Sequence, residues 1–321
     1  MKNYKMILVC VMMLGLCGCS RDKKDDMVLV SLDDYTISKE ETISEQTSEL
    51  VFSMEYSRSL DMDKIMNALL TSELEKEIYE NISLVESTSK YTDLKIYEGS
   101  MKVEKVNFRW TECNGGFSYY ASYPIQDTDV AMASIIMEEF LKQMEWDYSD
   151  DFTIKKLEDG SIDISCSLFC DGIKLMGENS LFLEKDNENE FPIMGFYVKL
   201  LVSGDRIYSA TIEGIPNVKN KLQSYDVNKD LLQIMDVEKI VQQYLAGDKN
   251  LQHLINADVK NIVMDIELIY MPYRDLSSNK NILIPVYEVC IKNRDESVNE
   301  EILLYIDAIT GFMYDIHFRF S

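Results

Sequence analysis

Histidine is almost missing from this chain, with only His253 and His317 in 321 residues. The H-E-x-x-H motif of a zinc hydrolase does not occur, and neither does the G-x-S-x-G of a serine nucleophile. A cysteine nucleophile would need a histidine beside it. Bases are scarce too: 32 Lys and Arg against 56 Asp and Glu leave a net charge of −24. Nucleic-acid binding by counterion release needs clustered cations, so that function class is excluded. Anionic lipid headgroups would repel such a surface as well. With 13 glycines and 5 prolines there is little low-complexity sequence. No metal or cofactor is expected. The acidic run E-K-D-N-E-N-E at 184–190 lacks the sixth-position glycine and twelfth-position glutamate of a calcium loop.

Long apolar runs are lacking as well. The clearest covers residues 6–18, thirteen positions, where a spanning helix needs about 20. Lys2 and Lys5 precede it and R-D-K-K-D-D follows at 21–26. A charged start, a short apolar middle and a small-residue end describe a secretory signal peptide. Its ending, Leu16-Cys17-Gly18-Cys19, resembles the bacterial lipobox. The resemblance implies cleavage before Cys19 and a diacylglycerol on its sulfur. Two acyl chains, at about 0.8 kcal/mol per buried CH₂, anchor a protein stably. The expected address is therefore the extracytoplasmic face of the cell membrane, with membrane lipid as a partner through Cys19. Loss of Lys2 and Lys5 with residues 1–18 takes the net charge from −24 to −26.

Residues 19–50 are acidic, rich in Ser and Thr and without helical period, so they read as a solvated tether. Three helices are predicted by apolar spacing of three and four behind an N-cap. Asp61 caps Met62, Ile65, Met66 and Leu69. Thr128 or Asp129 caps Val130, Ala133, Ile136, Met137, Phe140, Leu141 and Met144. Asp236 caps Val237, Ile240, Val241, Tyr244 and Leu245, ending at Gly247. Around them lie alternating strands. The clearest hairpin turns through N-G-G at 114–116, between Val106/Phe108/Trp110 and Phe117/Tyr119/Ala121. Trp110, Tyr119, Tyr120 and Tyr123 could make a sugar or peptide platform, but alternation assigns Tyr119 and Tyr123 to the core face. Further strands are predicted near 152–157, 161–170, 173–176, 180–185, 194–202, 206–213, 260–271, 282–292, 301–308 and 312–319. Cys166 and Cys170 share one predicted strand about 13 Å apart, too far for a disulfide. Pro285 marks its strand as an edge or a bulge.

This pattern predicts an α+β fold of repeated units, each one amphipathic helix on an antiparallel sheet. The divisions are a helix-plus-hairpin region at 51–126, a first unit at 127–225 and a second at 226–321. The phrases D-G-I-K-L-M-G-E-N-S-L-F-L-E-K-D (171–186), I-L-I-P-V-Y-E-V (282–289) and L-L-Y-I-D-A-I-T-G-F-M-Y (303–314) resemble PepSY-like modules and the YycH/YycI-type regulators. That resemblance implies a non-catalytic envelope protein that binds or regulates a sensor kinase or a protease. Its absence of catalytic residues carries over none here. With 282–292 as an edge strand, a partner would be met around Tyr287 and Glu288. The alternative is a wall- or glycan-active hydrolase using a carboxylate pair.

Overall fold

The computed structural model describes residues 50–58, 60–88, 95–103, 105–113, 115–178, 180–183, 191–247, 262–275, 280–293, 300–314 and 317–320. Residues 1–49, which hold the expected signal segment and all but the last residue of the expected tether, and the 184–190 run lie outside them. In chain order the elements are β1 (Leu50–Arg58), α1 (Met62–Leu69), α2 (Glu73–Glu80), β2 (Val85–Thr88), β3 (Lys95–Val103), β4 (Val106–Cys113), β5 (Gly116–Ser122) and α3 (Val130–Met144). Then come β6 (Thr153–Lys156), β7 (Ile162–Cys166), β8 (Phe169–Cys170), β9 (Ile173–Leu175), β10 (Ser180–Leu183), β11 (Phe191–Met194), β12 (Tyr197–Ser203), β13 (Arg206–Glu213) and β14 (Pro216–Asp226). The chain continues through α4 (Ile234–Gly247), β15 (Ile262–Asp275), β16 (Lys280–Asn293), β17 (Glu300–Asp307) and β18 (His317–Phe320).

Local chemistry explains the helix starts. Asp61 accepts from Lys64 N at 3.0 Å, and α1 buries Ile65, Met66 and Leu69. Ser72 and Glu75 form a reciprocal capping box that opens α2. Asp129 accepts from Ala131 N at 2.8 Å and opens α3, which buries Ala133, Met137, Phe140, Leu141 and Met144. The N-G-G hairpin forms in the predicted register: Cys113 faces Gly116, and Gly115 takes φ +79°, a turn conformation open to glycine.

The repeated helix-on-sheet arrangement is not what these elements build. The described residues are mostly strand, in two eight-stranded sheets and the β10–β11 pair, with four helices. The first sheet runs β2-β3-β4-β5-β13-β12-β7-β6. The second runs β14-β1-β16-β15-β9-β8, with β17 beside β16 and β18 beyond it. The first sheet crosses the expected boundary at 126, and the second crosses those at 126 and 225. Strands β2–β5 join β6, β7, β12 and β13, while β1 joins strands from the C-terminal third. Alternation marks a segment as a strand but does not name its neighbour, and the pairs β1–β14, β1–β16, β5–β13 and β9–β15 join strands distant in sequence.

One hydrophobic core serves both sheets. It includes Phe108, Ile164 and Leu200 from the first, Met54, Tyr287 and Leu304 from the second, and Ile65, Phe140 and Val237 from α1, α3 and α4. Arg58 on β1 also ties the sheets together, donating to Glu213 on β13 at 2.7 Å and lying 4.3 Å over the Phe196 ring. Desolvation raises the Glu213 carboxyl, and the Arg58 charge offsets that only in part. A smaller apolar cluster of Met176, Ile269, Met271, Val286, Leu303 and Tyr305 sits apart from that core.

Candidate functional site

Leu16, Cys17, Gly18 and Cys19 lie outside the described residues. Tyr287 and Glu288 do not lie on a free edge. β16 pairs with β15 along its length on one flank, and with β1 and then β17 on the other. Tyr287 is 6% exposed and donates to the Leu232 carbonyl at 2.8 Å. The edge assignment of 282–292 is thus corrected. Pro285 fits an interior strand because it falls between the β1 pairing at Ile282–Leu283 and the β17 pairing that begins at Val286. Its carbonyl accepts from Ala308 N on that same flank, and a strand residue's N–H and C=O point to one side. The missing N–H therefore falls where the neighbour changes.

Cys166 and Cys170 are both free thiols, but they do not share a strand. β7 ends at Cys166 in the first sheet, and β8 places Cys170 in the second. Burial pushes the Cys166 thiol up to about 12 and Cys170 up to about 11. Trp110 and Tyr119 are core residues. Exposed Tyr120 meets Tyr208 with hydroxyls 2.7 Å apart, and Tyr208 also packs edge-on against Tyr123. Rings packed edge-on to one another do not make a flat platform.

The true edges are guarded. β14 is the longest, paired only with β1 among the described residues, and Lys219–Ser224 are exposed. Its register skips at Leu222 and at Lys219. Bulges and lysines of this kind blunt an edge against added strands. The other edges have two to four residues: β2, β6, β8 and β18.

Two carboxylates do face each other. Glu267 on β15 and Glu288 on β16 are direct cross-strand partners, an unfavourable arrangement for like charges. Lys174, arriving on the parallel strand β9, ion-pairs with Glu267 and lies 3.8 Å from Glu288 Oε1. The Tyr305 hydroxyl donates to Glu288 Oε2 at 2.9 Å. The charges compensate across the sheet and tie β9 to β15. Beside them Lys292 pairs with Asp265 at 2.7 Å. Among the described residues no cluster of His, Cys, Asp and Glu could hold a metal ion.

The surface feature that stands out is on α3. Opposite its buried stripe, the first turns present Ala131, Met132 and Ile135 instead of charge. Ile125 in the preceding loop, Val130, Met132 and Ile135 are each 40–50% exposed. Only the C-terminal half of that face turns polar, with Glu138, Glu139 and Lys142. The helical spacing located the buried stripe, but Val130, assigned to it, is exposed. Met132 and Ile135 were legible only as apolar residues off the stripe.

Together these features define a strand-dominated protein built on two large sheets, with guarded edges and, among the described residues, an exposed apolar face on α3. No protein-family model matches the chain, and no curated protein matches it in sequence. Its fold is similar to the crystal structure of an uncharacterized protein from Eubacterium rectale ATCC 33656, with a TM-score of 0.51 at 12% identity, covering 86% of this chain and 89% of that one. The Bacillus megaterium YpeB C-terminal domain also aligns, with a TM-score of 0.36 at 12% identity, over 78% of this chain and 97% of that one.

Proposed function

We propose that this chain is a lipoprotein on the extracytoplasmic face of the membrane, anchored through Cys19, that binds another envelope protein and carries out no reaction of its own. The observation that carries the binding reading is the exposed apolar group of Ile125, Val130, Met132 and Ile135 on an otherwise strongly acidic chain. Exposed apolar residues that share a helix face, as Met132 and Ile135 do at a spacing of three, mark interaction sites in soluble bodies. The Leu16-Cys17-Gly18-Cys19 motif supports the anchor. A sensor kinase or a protease is the expected kind of partner. The facing carboxylates favour a structural role, since Lys174 and Tyr305 already engage them.

Cys19→Ser should leave the protein unprocessed or release it from membranes on fractionation; if Cys17→Ser alone does so, the cleavage site is wrong. Pull-down of the wild-type chain from detergent-solubilised membranes should retain a discrete envelope protein. If it retains none, while purified protein cleaves glycan or peptide and Glu267→Gln or Glu288→Gln abolishes that cleavage, the hydrolase reading replaces this one.

A further inference from the structure

We infer that the outer face of the first two turns of α3, together with Ile125, docks an amphipathic segment of a partner protein whose apolar anchors are flanked by lysine or arginine. This rests on the binding reading above and specifies its surface and the partner's chemistry.

The patch is rigidly framed. Thr128 is buried, and its hydroxyl accepts from Gly204 N at 2.8 Å. Thr128 N donates to the Gly160 carbonyl at 3.0 Å, and Gln126 N donates to Ser203 Oγ at 2.8 Å. These bonds hold the loop carrying Ile125 against the β12–β13 turn and the loop after β6. Asp129 caps α3 directly behind. Apolar side chains on so fixed a base lose little freedom on binding, which favours association. Met132 adds an unbranched, adaptable anchor of the kind common at binding surfaces.

Charge selects the occupant. The rim holds Asp127, Asp129, Glu138 and Glu139, with Lys156 paired to Asp127 and Lys142 to Glu138. Asp129 and Glu139 leave the rim negative. A second copy would bring the same acidic rim, and the chain's −24 charge, against itself. An anionic bilayer would be repelled in the same way. A basic-flanked segment instead meets apolar anchors at the centre and opposite charge at the edge, the arrangement of a specific interface.

The test uses the full chain and two synthetic amphipathic helical peptides about five turns long. They share one Leu/Ile stripe, flanked in one by Lys and Arg and in the other by Glu. Fluorescence anisotropy should show binding of the basic peptide only, weakening with salt. Met132→Asp and Ile135→Asp, checked by circular dichroism for unchanged fold, should each weaken it about tenfold or more. Glu139→Lys, which leaves the apolar centre intact, should reduce the preference for basic flanks. No binding of either peptide, equal binding of both, or binding indifferent to positions 132 and 135 overturns the proposal. So does dimerisation in sedimentation, or flotation with anionic vesicles, that Ile135→Asp abolishes. Membrane capture of a partner equally by wild type and Ile135→Asp would overturn this surface while leaving the binding function standing; capture by neither would overturn the function.

Discussion

Pro285 sits inside the longest pairing of the second sheet because its missing donor faces the gap between β1 and β17. Tyr287, two residues on, shows the complementary case. Its ring enters the core and its hydroxyl finds the Leu232 carbonyl, as a buried phenol requires. Burial pushes the Tyr270 and Tyr287 phenols from 10.0 up to about 12. A folded pKa above the unfolded one means the native state holds protons that the unfolded chain releases. That stabilisation is whole below pH 10 and declines as pH rises from 10 through 12. The guanidinium chloride midpoint should therefore be steady up to about pH 9 and fall steeply above 10, with fluorescence following the transition. A midpoint unchanged across that range would mean the buried phenols do not couple to folding.

At the level of elements, close packing of strands against α2 depends on one small residue. Gly99 on β3 lies opposite Trp110 on β4. A Cβ at Gly99 would come within 2.1 Å of the indole Cζ2. Trp110 cannot retreat, since it is 2% exposed and Tyr79 of α2 packs edge-on at 5.6 Å. Gly99→Ala should destabilise the protein by about 1–3 kcal/mol through overpacking. It should also shift the tryptophan emission as the indole is displaced, and chemical denaturation followed by that emission measures both. The same substitution made at exposed Gly172, where nothing lies within 4 Å but φ is +74°, would report backbone strain alone.

Across the whole molecule, the shared core and the Arg58–Glu213 pair should make the two sheets unfold together. Removing Arg58 would leave Glu213 largely buried without its partner, which typically costs about 3–5 kcal/mol. Arg58→Ala should lower the unfolding free energy by that order. In the wild type, tryptophan emission should follow the same transition as far-UV circular dichroism, because Trp110 belongs to a core that holds residues of both sheets. Two separated transitions would mean that the sheets are independent folding units. In Arg58→Ala, any separation should place the pair's contribution at the junction of the sheets.

The sequence alone was enough for what depends on near neighbours. N-caps at Asp61 and Asp129, the apolar stripes of α1 and α3, the turn at Gly115 and the end of α4 at Gly247 follow from bonds and spacings within a few residues. Helix α2 escapes the apolar-spacing reading although Ser72 and Glu75 carry its capping box, because its eight residues hold only Leu74, Ile78 and Tyr79 as apolar positions. What the sequence could not decide is partnership. β1 lies more than 150 residues from β14, to which it pairs along its whole length, and the split of 161–170 between two sheets happens at a single loop around Ser167. A period of two places side chains on alternate faces but contains no term for which strand lies alongside. That choice belongs to the global packing of the core, which covers Ala133, Met137, Phe140, Leu141 and Met144 of α3 and leaves Met132 and Ile135 on the surface.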